Sequence, residues 1–262
     1  MAAQEKKEII NERLNLLRVP LDIIPRDDLE DQISKLLLWP KNNADSKEEG
    51  RNLVLLSLWD LLRARRKREY RNYVLKSPMV IPISKSLVGG ARFLKGKTPI
   101  RYMPFHFIVD LLSVLETKEC TLYLLGSNDR TLKKVESNIR QTFPGLRIVG
   151  RCDSSFRRQN EGAIVEAIRK TSPQLLLVGK GVPGEELWIA RHHKSLNKGL
   201  RLWCSDIFDV FAEKKSRPAE WVFNAGLESF VYGIKRPYKI FRLFPYFYYK
   251  LLLLIYKILK KS

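Results

Sequence analysis

An apolar run, a glycine-rich turn and two adjacent acids lie together in LLLVGKGVPGEELWIARHH, residues 175–193. The run predicts a buried strand, and Glu185 and Glu186 fall in the first turn of the helix predicted to follow it. A carboxylate at this position accepts hydrogen bonds from ribose hydroxyls or from a nucleobase N–H group. It also complements the helix macrodipole without any ligand. The residues alone leave both roles open.

Glycines end two of the predicted strands, as Gly126 with Ser127 and as Gly179 with Gly181. In an open parallel sheet a ligand lies beyond the carboxyl ends of the strands, where glycine allows close approach and N–H groups face phosphate. Neither turn has the GxGxxG or Walker spacing, so a dinucleotide coenzyme or ATP is not favoured. A sugar nucleotide fits both features, with N–H groups on its diphosphate and an acid on its ribose. An ordinary strand-to-helix turn is the alternative.

Two further acids, Asp206 and Asp209, follow the last predicted strand and are expected at the same edge of the sheet. Either one also suits the cap of the next helix. The histidines and cysteines lack the spacing of a metal site, so no metal ion is expected. The odd number of cysteines and their wide separation favour free thiols in a reducing compartment. These residues are His106, His192, His193, Cys120, Cys152 and Cys204.

Apolar strands alternate with amphipathic helices along most of the chain. Continuous apolar strands joined by helices are typical of a parallel sheet covered on both faces, which predicts an open, doubly wound α/β fold. The chain before this alternation is predicted to form a hairpin, two helices and a polar loop, and the second helix carries the basic run RARRKREYR on its exposed side. Strands are predicted at 78–83, 120–127, 146–150, 174–181 and 200–208, the hairpin at 13–24, the helices at 26–39 and 59–75, and the loop at 40–52.

The chain is strongly basic, because 48 Lys and Arg against 28 Asp and Glu give a net charge of +20 over 262 residues. A charge of this sign attracts a polyanion such as nucleic acid, anionic lipid or a phosphorylated substrate. The amino-terminal stretch MAAQEKKEIINERLNLL has no apolar segment of the kind that a secretory signal needs. A cytoplasmic protein is therefore expected.

The composition changes after Glu228, which divides the chain into a domain at 1–228 and an appendage at 229–262. The appendage has no acidic residue, and its lysines and arginines alternate with aromatic side chains. Basic groups beside aromatic rings suit the headgroup layer of an anionic membrane. Lys250 and Lys257 interrupt the apolar run at 243–261, so this segment is expected to lie on a bilayer rather than cross it.

Five motifs, in this order and spacing, resemble the WecG/TagA/CpsF family of bacterial glycosyltransferases over about residues 13–245. They are LYLLGS, FPGLRIVG, LLLVGKGVPGEELWIAR, FDVFAEKKSRPAEW and GLESFVYGIKRPYKIFR. The resemblance implies a Rossmann-like enzyme that moves an N-acetylhexosamine or related sugar from UDP to a polyprenyl-diphosphate-linked sugar, without a metal. It also implies that the carboxyl-terminal appendage docks on the inner face of the cell membrane and covers the active site.

The resemblance assigns residues to both substrates. Gly181, Pro183, Glu185 and Glu186 match the family's Gly-x-Pro-x-Gln-Glu element, which resembles a donor-nucleotide site, and Glu185 stands where the family usually has Gln. Gly126, Ser127 and Gly179 are expected beside them. The positive charges for the acceptor diphosphate and the membrane are Arg217, Lys235, Arg236, Lys239 and Arg242.

The chain departs from the family at three polar elements. The family's Pro-Asp-Gly, whose Asp is the proposed general base, aligns with Pro82-Ile83-Ser84, and isoleucine cannot accept a proton. The Thr-x-Asn element aligns with Leu55-Leu56-Ser57, and the Gly-x-Asp element aligns with 102–104. If the chain is active, Asp209 or Asp153 is the candidate base.

Three hypotheses follow, and none of them fixes an oligomeric state, although family members can self-associate. The first is an active transferase at the membrane surface. The second is an inactive relative that serves as a partner or regulator of an active transferase. Nucleic-acid binding through RARRKREYR and the carboxyl-terminal lysines is the third and least favoured.

Overall fold

The structure is a computed structural model that describes residues 12–38, 51–156, 158–196, 199–217, 219–226 and 244–259. Its strands are β1 (Glu12–Leu16), β2 (Val19–Ile23), β3 (Arg51–Leu56), β4 (Met79–Pro82), β5 (Thr121–Leu125), β6 (Arg147–Cys152), β7 (Leu175–Val178) and β8 (Leu200–Trp203). Its helices are α1 (Leu29–Leu38), α2 (Leu58–Arg66), α3 (Arg68–Leu75), α4 (Lys85–Lys95), α5 (Pro104–Thr117), α6 (Asp129–Thr142), α7 (Glu161–Thr171), α8 (Glu186–Arg191), α9 (Ile207–Phe211), α10 (Glu220–Ala225) and α11 (Phe244–Ile258).

Six parallel strands form the central sheet in the order β4-β3-β8-β7-β5-β6. Their side chains alternate between two apolar layers, as the period of two requires. Leu53 and Leu55 of β3 enter the layer that contains α1, α5, α6 and α9. Val54 and Leu56 enter the layer that contains α2, α3, α4, α7, α8 and α11. The predicted α/β fold, with a parallel sheet covered on both faces, is confirmed.

The predicted hairpin is also confirmed, and it covers the edge of the sheet at β4. β1 and β2 pair antiparallel, and the buried carboxylate of Asp22 accepts a hydrogen bond from Val80 N at 2.6 Å. Arg13 completes the junction, since its Nε lies 2.6 Å from Asp22 Oδ1. Asp22 of the hairpin therefore accepts a hydrogen bond from a backbone N–H group at the edge of the sheet, which would otherwise be available to another chain.

The single helix predicted at 59–75 is wrong, because the chain forms α2 and α3 with extended backbone at Lys67 between them. A continuous helix would extend the stripe of Leu58, Leu61 and Leu62 onto Arg65 and Glu69. The break changes the phase, so that α3 instead buries the apolar residues Tyr70, Tyr73 and Val74.

Part of the basic run RARRKREYR is structural rather than solvated. Arg63 forms an ion pair with Glu186, and Arg65 Nη1 donates to Tyr256 Oη at 3.0 Å. These two cations join α2 to α8 and to α11, which leaves fewer charges for a nucleic acid than the sequence indicated. The structure also contains β3 and α5, two elements that the strand and helix prediction did not assign.

The carboxyl-terminal helix α11 lies against α2 and α4. Tyr249 and Leu253 are buried, and Tyr249 Oη donates to Ser86 O at 3.0 Å. Within the described ranges, none of the helices combines the length and apolar character that a membrane span requires. The proposed domain boundary at 228 and 229 lies outside the described residues.

Two neighbouring glycines of α4 provide a matched test of this docking. A Cβ at Gly90 would lie 1.9 Å from Tyr249 Oη, whereas a Cβ at Gly89 would meet nothing within 4 Å. We expect Gly90→Ala to lower the free energy of unfolding by about 1–3 kcal/mol through overpacking. Gly89→Ala is expected to raise it by about 0.5–1 kcal/mol, because alanine favours the helix. Thermal unfolding of both variants measures the difference, and equal stabilities would mean that α11 does not dock here.

Candidate active site

A cavity of about 430 Å³ opens at the carboxyl ends of β3, β4 and β8. The chain leaves β3 toward β4 on one side and leaves β5 toward β6 on the other. Ligands of open α/β sheets bind beyond the strand ends near such a divergence. The lining residues are Leu55, Ser57, Asp60, Ile83, Met103, Pro104, Phe105, Trp203, Cys204, Ser205, Asp206, Ile207, Val210, Lys215, Ser216, Arg217 and Phe223.

Two basic side chains hold α10 over one side of the cavity. Arg101 Nε donates to Ile83 O at 2.9 Å, and the same guanidinium stacks on the Phe223 ring at 3.7 Å from its centroid. Lys85 Nζ donates to the carbonyls of Asn224 and Ala225, both at 3.0 Å. Cations at the carboxyl end of a helix satisfy its last carbonyls, so these contacts fix Phe223 as a wall of the cavity.

One of the lining residues, Trp203, has a buried indole N–H group without a hydrogen-bond partner among the described residues. A buried donor without an acceptor costs about 1–3 kcal/mol.

Asp60 is a candidate functional residue that the sequence motifs did not reveal, and it lines the cavity. It is the third residue of α2, and its Oδ2 accepts hydrogen bonds from Ser57 N at 2.9 Å and Ser57 Oγ at 2.5 Å. The Tyr70 side chain also hydrogen-bonds to this carboxylate. Burial raises the pKa of Asp60, and the bonds from Ser57 and the charge of Arg63 only partly offset the rise. The pattern Ser57-x-x-Asp60 is a capping-box signal and could have revealed the helix start, but not the cavity.

Opposite charges lie on the other side of the cavity. Lys215 Nζ pairs with Asp206 Oδ2 at 2.5 Å, and the Arg217 guanidinium lies 5.2 Å from the centroid of the Phe105 ring. Burial raises the pKa of the Cys204 thiol to about 12, so this cysteine is not a nucleophile at neutral pH. Diphosphate binding by Arg217 stays a prediction.

The two glycine turns lie along the same edge but are closed by backbone hydrogen bonds. Gly126 N donates to Cys152 O at 2.9 Å, Ser127 N to Lys180 O at 2.7 Å and Gly179 N to Leu125 O at 2.8 Å. The backbone N–H groups of Gly126, Ser127 and Gly179 are therefore not free for a phosphate. Assignment of the turns to the donor nucleotide stays a prediction that would need other atoms, such as Ser127 Oγ, which is buried and has no partner in the described part of the chain.

The two acids predicted as bases are near this edge but do not line the cavity. Asp209 pairs with Lys180. Asp153 Oδ1 accepts from Ser155 N at 3.0 Å and from Ser155 Oγ at 2.5 Å, which is a local turn. Among the described residues, no group of three or more His, Cys, Asp or Glu side chains is arranged to hold a metal ion.

The sequence model that describes the glycosyl transferase WecG/TagA/CpsF family matches residues 14–262 of this chain. The chain belongs to this family. Three relatives carry the name N-acetylglucosaminyldiphosphoundecaprenol N-acetyl-beta-D-mannosaminyltransferase. The relative from Bacillus subtilis strain 168 is 24% identical over 66% of this chain and 66% of its own length. The relative from Bacillus spizizenii is 19% identical over 61% of this chain and 61% of its own length. The relative from Staphylococcus aureus strain NCTC 8325 is 21% identical over 60% of this chain and 64% of its own length. The chain thus spans 66% or less of the length of these relatives.

In this WecG/TagA/CpsF protein, some of the predicted motif positions line the cavity and others lie in the glycine turns. Leu55, Ser57 and Ile83 line the cavity, and their match to the Thr-x-Asn and Pro-Asp-Gly elements stays a prediction. Arg217 lines it as well. The other predicted cations, Lys235, Arg236, Lys239 and Arg242, lie outside the described residues.

The two acids of the Gly-x-Pro-x-Gln-Glu element have different environments. Glu185 is exposed and has a positive φ of 54°, which is unusual for a residue other than glycine. Glu186 is only 2% exposed and pairs with Arg63, while its Oε2 has no partner among the described residues. Burial raises the pKa of Glu186 to about 7. The element is therefore joined to α2 by a partly buried ion pair, and nucleotide binding by these acids stays a prediction.

Glu186 gives the protein a specific pH dependence. Its folded-state pKa lies above the ordinary value of 4.5, so the folded chain binds more protons between those two values. The free energy of unfolding should then fall as pH rises through this interval, by up to about 1.4 kcal/mol per pH unit. Thermal unfolding of wild type and Glu186→Gln from about pH 5 to 8 tests this. The wild type should lose stability relative to the variant, and a constant difference would contradict the assignment.

Proposed function

We propose that this protein is a membrane-surface glycosyltransferase that moves a hexosamine-type sugar from a UDP-sugar to a polyprenyl-diphosphate-linked acceptor in cell-envelope polysaccharide or glycolipid synthesis. The observation that carries the proposal is the family match over residues 14–262. Leu55, Ser57 and Ile83, which the sequence resemblance matches to two of the family's polar elements, line a cavity at the carboxyl edge of the sheet. The names of the relatives describe transfer of a mannosaminyl group to a sugar on diphosphoundecaprenol, which supports this class of substrates.

Asp60 is the general base in this proposal. The acceptor hydroxyl gives its proton to the carboxylate, and its oxygen forms a bond to the anomeric carbon of the donor. The bond from that carbon to the diphosphate oxygen breaks, and UDP leaves with the electron pair. A raised pKa brings the base closer to the operating pH, which favours proton transfer. Ser57 orients the carboxylate through Oδ2, and a carboxylate has further lone pairs to accept the proton.

Lys215 and Arg217 stabilise the diphosphate charge in this proposal. Both line the cavity, and positive groups aimed at a leaving diphosphate lower the barrier where charge develops. The reaction is proposed to need no metal ion. Addition of EDTA should leave the turnover rate unchanged, and a rate that recovers only when Mg²⁺ or Mn²⁺ is added would contradict this part.

The membrane contact is assigned to α11. One face of this helix is buried, and the opposite face exposes apolar side chains at spacings of three and four residues, which form one stripe. The exposed fractions reach 73% for Phe244, 69% for Phe247 and 78% for Ile258. Lys250 and Lys257 are seven residues apart, so both lie along one side of this stripe, and Lys257 Nζ lies 4.0 Å from the centroid of the Phe93 ring. An amphipathic helix with lysines beside apolar groups suits an anionic bilayer surface, which we place at the inner face of the cell membrane.

A direct assay tests the proposal. Purified protein is incubated with UDP-N-acetylmannosamine or UDP-N-acetylglucosamine and a polyprenyl-diphospho-sugar acceptor, and UDP release is measured. Calorimetry with UDP determines whether the donor site binds. Turnover with either donor supports the transferase, whereas a folded chain that shows neither turnover nor UDP binding eliminates it.

Ile83 favours one alternative, a family member that has lost catalysis and acts as a partner or regulator of an active transferase. Its side chain lines the cavity, and the sequence resemblance matches this position to the family's proposed base. The same assay separates the two functions, because the alternative predicts UDP binding without turnover. Nucleic acid is not a proposed partner, since Arg63 and Arg65 are used within the fold.

A further inference from the structure

A second cavity of about 420 Å³ lies at the opposite edge of the sheet, between the start of β3, α3 and the end of α8. β3 contributes Arg51 and Asn52 to this cavity and Leu55 to the proposed active site. At about 3.3 Å per residue, Asn52 and Leu55 are separated by about 10 Å along the strand. The two cavities are therefore distinct, and the second site does not depend on the proposed transferase activity.

The second cavity has an excess of positive charge. Lys76 and Arg191 line it together with Arg51, and Glu69 is the one acidic side chain among its lining residues. Arg191 also donates to the carbonyl of Pro183, which connects the cavity to the loop of the Gly-x-Pro-x-Gln-Glu element. An anionic ligand would be attracted to this cavity and would contact Arg191.

A buried acceptor points to a ligand that also donates hydrogen bonds. Asn52 is 9% exposed, and its Oδ1 has no hydrogen-bond partner among the described residues. An unsatisfied buried acceptor destabilises the protein, whereas leucine at this position of a strand would not carry that penalty. A hydroxyl group in the cavity would satisfy Oδ1.

We propose that this cavity binds a small phosphorylated sugar. The phosphate contacts Lys76 and Arg191, and a sugar hydroxyl donates to Asn52 Oδ1. Pro78 and Ala190 supply apolar surface for the carbon face of the ring. The volume lies in the range of small-molecule sites, and a free phosphate would leave most of it unfilled.

Calorimetry on the full chain tests the proposal with glucose 6-phosphate, glucose and inorganic phosphate as probes. Glucose 6-phosphate should bind at least about tenfold more tightly than either part alone. Lys76→Gln and Asn52→Leu should each raise its Kd about tenfold or more. Lys67→Gln, an exposed lysine outside the cavity, and Arg217→Gln, in the proposed active site, should leave the Kd unchanged.

The unliganded variants supply an independent readout. Asn52→Leu should raise the unfolding temperature while it weakens binding, because it removes an unsatisfied acceptor. Absence of binding to the wild type would overturn the proposal. Binding that survives both cavity substitutions, or that is lost in Arg217→Gln, would place the ligand elsewhere and would overturn it equally.

Discussion

Asp60→Asn should reduce the proposed sugar transfer by about 100- to 10,000-fold while the protein remains folded. The amide keeps the shape of the side chain and can still accept the hydrogen bond from Ser57 N, but it cannot take a proton from the acceptor. Asparagine is neutral, so it also avoids the burial penalty that raises the pKa of Asp60. Thermal unfolding should therefore change little, and UDP should still bind.

Three other carboxylates of this edge serve as matched controls. Asp206 lines the cavity but pairs with Lys215, Asp209 pairs with Lys180, and Asp153 forms a local turn with Ser155. Their Asn variants should retain turnover within about tenfold of wild type. If Asp209→Asn or Asp153→Asn removes turnover while Asp60→Asn does not, the base has been assigned to the wrong residue.

A rescue experiment tests the role of Asp60 as a base rather than as a helix cap. Ile83 lines the same cavity, so Ile83→Asp places a carboxylate within it. We expect Ile83→Asp to restore turnover to Asp60→Asn, because either carboxylate can accept the proton. The acid limb of the rate profile, which the raised pKa of Asp60 sets in the wild type, should shift in the rescued variant. A purely structural Asp60 would show neither the rescue nor the shift.

The fold was largely predictable because apolar strands alternate with helices, and this rhythm alone indicates a parallel sheet. The strand order was not predictable, because β8 is the last strand along the chain but lies between β3 and β7 in the sheet. That order decides which strand ends are neighbours. It places Ser57, Ile83 and Asp206 around one cavity, while the glycine turns after β5 and β7 bond to each other.

The candidate site shows the same division between local and long-range information. Glycines and acids after strands were visible in the sequence and do lie at the carboxyl edge of the sheet. Their bonding could not be deduced, because Glu186 meets Arg63 from a helix 123 residues earlier. Asp60 was overlooked because the pattern Ser57-x-x-Asp60 predicts only a helix cap. The tertiary structure brings Asp60 to the cavity, where burial raises the pKa of its carboxyl group.

The exposed stripe of α11 should control membrane binding. Phe247, Leu251 and Leu254 are exposed, so changing all three to Ser should leave the docked face intact. Burial of one such side chain in an apolar phase is worth about 1.5–3 kcal/mol. Even partial insertion therefore predicts a loss of about 100-fold or more in partitioning to vesicles of phosphatidylglycerol and phosphatidylcholine in equal parts.

Electrostatic and hydrophobic contributions are separable in this experiment. Lys250→Gln with Lys257→Gln should weaken binding to the anionic vesicles by about 1 kcal/mol per residue and should have little effect on vesicles of phosphatidylcholine alone. Leu75→Ser, an exposed apolar residue outside the stripe, is the control and should bind as wild type does. If the triple variant sediments with vesicles as well as wild type, another surface contacts the membrane. With soluble UDP as ligand the triple variant should bind normally, because α11 contributes none of the residues that line the proposed active site.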